Sequence, residues 1–543
     1  MRISVYLTLC ISALLSNCKA NTYKDPQASL DYGVFRGRHD ETYNLTYFRK
    51  IPFAAPPVGE NRFRAPQPPL NITEDVYNTD QEFDMCPQRT VNGSEDCLYL
   101  GLFSRPWDTT ARNKRPVLVV FYGGAFIQGS ASFSIPPPSY PMLNVSDMND
   151  YVVVYPNYRV NAFGFLPGKA VKESSTSDLN AGLLDQQFAL KWVRKYIHHF
   201  GGDPNNVTVW GQSAGAGSVV AQVLANGRGK QPKLFSKALM SSPFWPKTYS
   251  YDAPEAEDIY DKLVNLTGCS SEPDSLACLK QIDVQTIRNA SLVIADSHTW
   301  TTSSYTWAPV IDGVFLFDSL TEATARGPLN TEHIFGMYNT HEGENFVPSG
   351  LADASSADRF NSSATSFRHW LTGFLPRLSA HQVEWVERLY PPSGRTETID
   401  SYTSTFERAG LIYRDLVLAC PAYWIASSAK GSGYLGEYTI SPARHGSDTI
   451  YVRIPFFSFF YGVQGLLLNI WKRSIINSNS GTGSTPFNSL IRSFTMGTLA
   501  PWRVSFKRVI QMHINLLIPL TSGFRLYKGI EKSLRLRHLG LRI

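Results

Sequence analysis

Between residues 116 and 240 the chain alternates between two hydrophobic patterns. Pro116-Val117-Leu118-Val119-Val120-Phe121-Tyr122 and Tyr151-Val152-Val153-Val154-Tyr155 are unbroken apolar, β-branched runs, the pattern of strands buried on both faces. Asn206-Val207-Thr208-Val209-Trp210 and the stretch from Leu234 to Met240 read the same way. From Leu183 to Phe200 the apolar residues fall instead at 184, 188, 192 and 193, then 196 and 197, a helical spacing. The small-residue stretch from Ala216 to Ala225 is helix-compatible, and His333 to Tyr338 is the last convincing parallel strand. Strands alternating with helices predict a mostly parallel central sheet with helices on both faces. Residues 250–330 read as an insertion of helices and loops, and residues 21–115 are rich in proline and turn residues.

Composition adds an asymmetry. The chain has 543 residues, 43% hydrophobic and 13% aromatic, enough for a sizeable core and long enough to require large loop insertions in one domain. The formal net charge of +6 is uneven: residues 453–543 hold 13 Lys/Arg and a single acid, Glu531. The remainder is mildly acidic, with no basic patch that points to nucleic acid. Within the tail, Ile454 to Trp471 is uncharged over 18 residues but broken by Pro455, Gly462, Gln464, Gly465 and Asn469, which makes it a poor membrane span. Three readings of this segment stay open: sequence foreign to the domain, membrane attachment, or binding of acidic partners.

At the other end, Arg2, the mostly apolar run from Ile3 to Leu15 and Cys18-Lys19-Ala20 have the make-up of a secretory signal peptide. Eight N-x-S/T sequons, at Asn44, Asn71, Asn92, Asn144, Asn206, Asn265, Asn289 and Asn361, agree with export and N-glycosylation. Cys86 with Cys97, and Cys269 with Cys278, are spaced for small disulfide loops, each contributing about 2–3 kcal/mol by restricting the unfolded chain. Cys420 is left as a buried thiol, and no cysteine spacing resembles a zinc site. No metal or other cofactor is expected. The expected organisation is therefore a leader over 1–20, one domain over 21–452 and an atypical basic tail over 453–543.

The chemistry centres on Gly211-Gln212-Ser213-Ala214-Gly215. A strand enters this G-x-S-x-G and a helix leaves it, the context of a nucleophile elbow. The serine then stands at the apex of a strained turn, and the N–H of Ala214 faces the same space.

Four segments carry a family resemblance: Ile51-Pro52-Phe53-Ala54-Ala55-Pro56-Pro57-Val58-Gly59, Glu95-Asp96-Cys97-Leu98-Tyr99-Leu100, the stretch from Asn180 to Ser218, and Arg444-His445-Gly446-Ser447-Asp448. The third contains Gly182-Leu183-Leu184-Asp185-Gln186 and Phe200-Gly201-Gly202-Asp203-Pro204. The chain resembles the type-B carboxylesterases, the carboxylesterases, cholinesterases and large fungal lipases of the α/β-hydrolase fold, from about residue 30 to about residue 452. The resemblance implies a serine esterase acting on a small-molecule ester. Its in-class alternative is a triacylglycerol lipase, and its out-of-class alternative a non-catalytic adhesion or carrier protein.

A serine hydroxyl needs a base within hydrogen-bond reach, and in this fold the chain order is Ser, then Asp/Glu, then His. His445 lies last of the six histidines between the elbow and the tail, in a glycine-bearing loop, and matches the family's base. Glu342, in His341-Glu342-Gly343, matches the acid, with Glu344 as the near alternative. Gly123-Gly124-Ala125 follows an early strand. By resemblance the N–H groups of Gly124, Ala125 and Ala214 are the oxyanion-hole donors. Alanine at 125, where the family usually has glycine, places a methyl beside the acyl space. Gln212, where the family commonly has glutamate, argues against a cationic substrate such as a choline ester. The family's usual C-terminal helix is not recognisable in the tail.

Overall fold

Nine strands form the central sheet: β1 (Arg38–Asp40), β2 (Leu45–Pro52), β3 (Tyr99–Ser104), β4 (Arg115–Phe121), β5 (Val152–Pro156), β6 (Gly202–Gln212), β7 (Lys237–Ser241), β8 (His333–Asn339) and β9 (Ser432–Tyr438). They are seen in a computed structural model that describes residues 25–107, 113–132, 134–145, 151–226, 233–296, 306–396, 399 and 401–449. The expected leader, the basic tail with its apolar run, and Ile450 to Val452 lie outside the described residues.

The spatial order is β9-β8-β7-β6-β4-β5-β3-β2-β1. Every contact from β5 through β4, β6, β7 and β8 to β9 is parallel. The contacts from β5 through β3 and β2 to β1 are antiparallel. A second, three-stranded sheet pairs Gln27–Leu30, Gly33–Arg36 and Tyr77–Asn78.

The middle strands explain the long apolar runs. Alternate side chains point to opposite faces, and they divide cleanly. Val117, Val119, Phe121, Val152 and Val154 join one hydrophobic cluster. Leu118, Val153 and Tyr155 join another, with Met142 and Leu143 of the short helix Tyr140–Val145. Helices therefore cover both faces, as expected of an α/β-hydrolase fold.

The helix expected between residues 183 and 200 is α1, Ala181–Tyr196, followed by a 3-10 turn to Phe200. Its burial is deeper than the apolar spacing indicates. Asp185 and Gln186 are fully enclosed, and Asp185 takes a bidentate ion pair from buried Arg159 at 2.8 and 2.7 Å.

The elbow helix is α2, Ala214–Asn226. Later come α3, Thr405–Arg414, and α4, Cys420–Ser427. The insertion after β7 contains the helices Pro254–Leu266, Ser275–Gln281, Val284–Asp296 and Leu320–Ala325. Both expected disulfides, Cys86–Cys97 and Cys269–Cys278, are formed, and Cys420 is a buried free thiol.

One parallel strand goes beyond the sequence expectation. β9 extends the sheet past β8, but Gly433, Gly436 and Glu437 dilute its apolar pattern, and as an edge strand it buries no side chain completely. Among the described residues no helix is long and apolar enough to cross a membrane.

Candidate active site

The elbow is built by steric exclusion. Ser213 joins β6 to α2 with φ of 59°, a left-handed conformation that costs a non-glycine residue on the order of 1–3 kcal/mol. A Cβ on Gly211 would lie 2.2 Å from the Gly215 carbonyl atoms, and one on Gly215 would lie 2.2 Å from the Phe121 carbonyl oxygen of β4. Only glycine lets strand, turn and helix approach this closely. The turn is fastened at both ends of the serine. Its N–H donates to the Ser241 carbonyl at 2.9 Å, and its carbonyl accepts from the N–H groups of Gly217 and Phe244 at 2.9 and 3.0 Å.

His445 reaches this serine from the loop after β9. Its Nε2 lies 2.8 Å from Ser213 Oγ, and its Nδ1 lies 2.8 Å from Glu342 Oε2. The ionised carboxylate can only accept, so it fixes the proton on Nδ1 and leaves Nε2 to accept from the serine. The loop carrying the histidine is positioned by the end of β8 and the turn after it. His341 N–H donates to the Ala443 carbonyl at 2.9 Å and Asn339 Nδ2 to the Arg444 carbonyl at 2.7 Å. His445 N–H donates to Asn345 Oδ1 at 3.1 Å. The Phe346 ring meets the imidazole edge-on, with centroids 4.8 Å apart.

Glu342 is fully buried in the turn closing β8, and its other oxygen accepts the Asn339 N–H at 3.0 Å. That turn is pressed onto α3: a Cβ on Gly343 would fall 1.8 Å from the Gly410 carbonyl oxygen. Glu344, the alternative acid, faces elsewhere. It pairs with His341 Nδ1 at 3.0 Å and with Arg444 Nη2 at 3.6 Å.

Beside Ser213, Gly124, Ala125 and Phe126 have φ of 117°, 55° and 62°. A Cβ on Gly123 would be 3.0 Å from Ser213 Cβ, so this loop lies directly against the serine. Ala214 opens α2. Gln212 places its Nε2 3.3 Å from His445 Nε2, a neutral amide at the imidazole edge.

Two further groups lie beside Glu342. Burial pushes the Asp448 carboxyl above its ordinary value, and Asn339 Nδ2 donates to it at 3.1 Å. Burial likewise raises the Tyr413 phenol, whose ring stacks on Phe346 at 4.9 Å. Among the described residues no group of three or more His, Cys, Asp or Glu is placed to hold a metal ion.

The structure thus brings Ser213, His445 and Glu342 into one chain of contacts, with Ala214 following the serine and Gly123, which leads into Gly124 and Ala125, lying against it. Sequence reasoning did not single out Asn339, Asn345 or Phe346, which hold the histidine loop. Only their nearness to Glu342 hints at a role.

Comparison with known proteins agrees with this geometry. Residues 24–458 match the model of the carboxylesterase family. The chain is 30% identical over 417 residues to Carboxylesterase patB of Aspergillus clavatus, covering 74% of this chain and 70% of that protein. It is 29% identical over 452 residues to Secreted lipase 1 of Botryotinia fuckeliana, covering 75% and 76%. The crystal structure of Aspergillus niger EstA superposes with a TM-score of 0.62 at 31% identity, covering 75% of each chain.

Proposed function

Because this chain belongs to the carboxylesterase family and is a carboxylic ester hydrolase, we propose that it works through Ser213, His445 and Glu342 and a covalent acyl-enzyme. The observation that carries the reading is the pair of 2.8 Å contacts linking serine, imidazole and carboxylate at a strained elbow.

Ser213 Oγ attacks the ester carbonyl carbon while His445 Nε2 takes its proton. Glu342 stabilises the resulting imidazolium and keeps it oriented. The carbonyl oxygen, now negative, is met by the N–H groups of Gly124, Ala125 and Ala214. Each such donor is worth about 2.7–4 kcal/mol of barrier. The carbon–oxygen bond to the alcohol breaks, His445 protonates the leaving oxygen, and Ser213 retains the acyl group. Water, deprotonated by His445, then repeats the sequence and frees the acid.

Three features narrow the substrate. Gln212 puts no negative charge beside the histidine, so neutral esters are favoured over cationic ones. The Ala125 methyl trims the space beside the hole. The Cys86–Cys97 bridge closes a loop with a sequence separation of 11, short for an interfacial lid. These support an esterase acting on dissolved esters. Similarity to a secreted lipase supports the second reading, a lipase, which predicts a rate jump as substrate passes its solubility limit.

The protein is read as secreted and N-glycosylated, supported by its two disulfides and its secreted relative. Asn44, Asn71, Asn92, Asn144, Asn265 and Asn289 are exposed and are proposed as the glycan sites. Asn206 is not proposed as one. It lies in β6 with its Oδ1 accepting from Lys237 Nζ at 2.8 Å, and the hydroxyl-bearing Thr208 of its sequon is buried.

The test is Ser213→Ala. It is expected to abolish p-nitrophenyl butyrate hydrolysis and covalent labelling by a fluorophosphonate in a protein that still folds. Undiminished turnover would refute the assignment.

A further inference from the structure

The loop closed by Cys86 and Cys97 is joined to the loop bearing Gly124 and Ala125 through three buried amide side chains. Gln88, Asn157 and Asn161 are each 0–1% exposed. Gln88, inside the disulfide loop, makes two bonds to one residue: its Nε2 donates to the Gly129 carbonyl at 2.9 Å, and its Oε1 accepts the Gly129 N–H at 2.7 Å. It is the pairing a neighbouring strand would supply, made by a side chain. Asn157 Nδ2 donates to the Cys97 carbonyl at 2.9 Å while its Oδ1 accepts the Ala131 N–H at 2.8 Å. Asn161 Nδ2 donates to the Pro87 carbonyl at 2.9 Å, and its N–H donates to the Phe126 carbonyl at 2.7 Å.

Gly129 is the return point of the loop that starts at Gly123. A Cβ on it would lie 2.4 Å from the Gly123 carbonyl oxygen, and the N–H groups of Ile127 and Gln128 both turn back to the Gly124 carbonyl. Fixing Gly129 therefore fixes Gly123 and Gly124 on the far side of the same tight turn. Gln88 is in turn held in register. Its Nε2 also reaches the Cys86 carbonyl at 3.1 Å, Thr90 Oγ1 donates to its Oε1 at 3.1 Å, and Arg288 Nε donates to its own carbonyl at 2.7 Å.

We infer that Gln88 is a positioning residue for the oxyanion hole, and that the disulfide loop serves as a fixed brace for that hole. The inference rests on the reading of Gly124 and Ala125 as donors. Gln88 touches no reacting atom. Its effect is exerted on the transition state, because a donor displaced by about 1 Å loses on the order of 10²-fold in rate, whereas ground-state binding of the ester hardly depends on it.

The experiment compares wild type with Gln88→Leu, which has similar bulk and neither bond. Steady-state constants, affinity for a trifluoromethyl ketone analogue of the substrate, and melting temperature are measured together. The expected result is a fall in kcat of about ten- to a hundred-fold with KM within about two-fold. Affinity for the ketone, which forms an oxyanion on Ser213, should fall by a similar factor. If Gln88→Leu does not fold, Gln88→Met keeps the unbranched length of the side chain and makes neither bond to Gly129. The same split is expected of it.

Unchanged kcat and ketone affinity in a folded variant, or a rise in KM alone, overturns the brace. Failure of the wild type itself to bind the ketone, or to label at Ser213 with a fluorophosphonate, overturns instead the reading of the site.

Discussion

Replacing Glu342 with glutamine removes one charge from a carboxylate that is fully buried and doubly engaged. The consequence follows from donors and acceptors. Oε1 faces the Asn339 N–H at 3.0 Å, which can only donate, so the carboxamide must place its oxygen there. Its NH₂ group then faces His445 Nδ1, where the carboxylate now stands at 2.8 Å. Two donors cannot meet, so the imidazole shifts its proton to Nε2 and presents N–H to Ser213 Oγ. A histidine in that tautomer cannot take the serine proton. In the chymotrypsin-type triad that serves as the general template, the equivalent change lowers kcat by about 10⁴, or about 5 kcal/mol of barrier. A loss of that order is expected for Glu342→Gln. Turnover of p-nitrophenyl butyrate should be normalised to the folded fraction from circular dichroism. Glu344→Gln serves as the control, since Glu344 faces His341 and Arg444, and should lose less than about three-fold, as expected of a partly exposed pair. A loss under ten-fold in Glu342→Gln, or a larger loss in Glu344→Gln, would refute the assignment of the acid.

Two other perturbations address charge. Burial depresses Lys247 from 10.5 to about 8, with Glu255 opposing and Arg377 adding to the shift, and its Nζ lies 5.6 Å from the Phe374 ring centroid. The unfolded chain holds this proton more tightly, so stability falls as pH drops from 10.5 to 8 and the deficit is complete below 8. Lys247→Met should therefore be more stable at pH 7 by up to about 3 kcal/mol, at 1.36 kcal/mol per unit. Urea unfolding should show the gap closing towards pH 10.5, and a gap independent of pH would sink the argument. Gln212→Glu introduces a carboxylate beside the site. At about 6 Å and an effective dielectric near 20 it attracts a substrate ammonium by up to about 3 kcal/mol. The ratio of kcat/KM for butyrylthiocholine over its uncharged dimethylbutyl isostere should rise at least about ten-fold. An unaltered ratio would mean that position 212 does not face the alcohol side of the ester.

Burial on both faces made β4 to β8 readable. A strand such as Val152–Pro156, enclosed at every position, leaves no polar residue to confuse the period. β1 was hidden by its three-residue length and β2 by Arg49, Lys50 and Pro52, whereas β3 is apolar but is interrupted by Gly101 just past the family segment over residues 95–100. β9 was missed as a sheet strand because its glycines allow close approach to α4, with a Cβ on Gly433 only 1.9 Å from the Ala426 carbonyl oxygen. Ser213 and His445 were legible through chain order and the glycine frame. Position and resemblance favoured Glu342 with Glu344 as the alternative, but what separates two glutamates two positions apart is which way the turn faces each, and that is seen only in the fold. The buried amides that link the Cys86–Cys97 loop to the loop after β4 were not legible either. Gln88, Asn157 and Asn161 look like surface residues until their partners, 26 to 74 positions away in the chain, are known.

The contact between Gly343 and Gly410 has a genetic consequence. The turn that presents the acid has no slack of its own. Its placement is inherited from a helix more than sixty residues downstream. Replacing Gly410 with any larger residue would wedge the two segments apart, since its Cβ would come within 2.8 Å of the Glu344 side chain. In a screen for lost activity such a lesion would pass for an active-site mutation, although the residue changed has no side chain and belongs to a helix behind the turn.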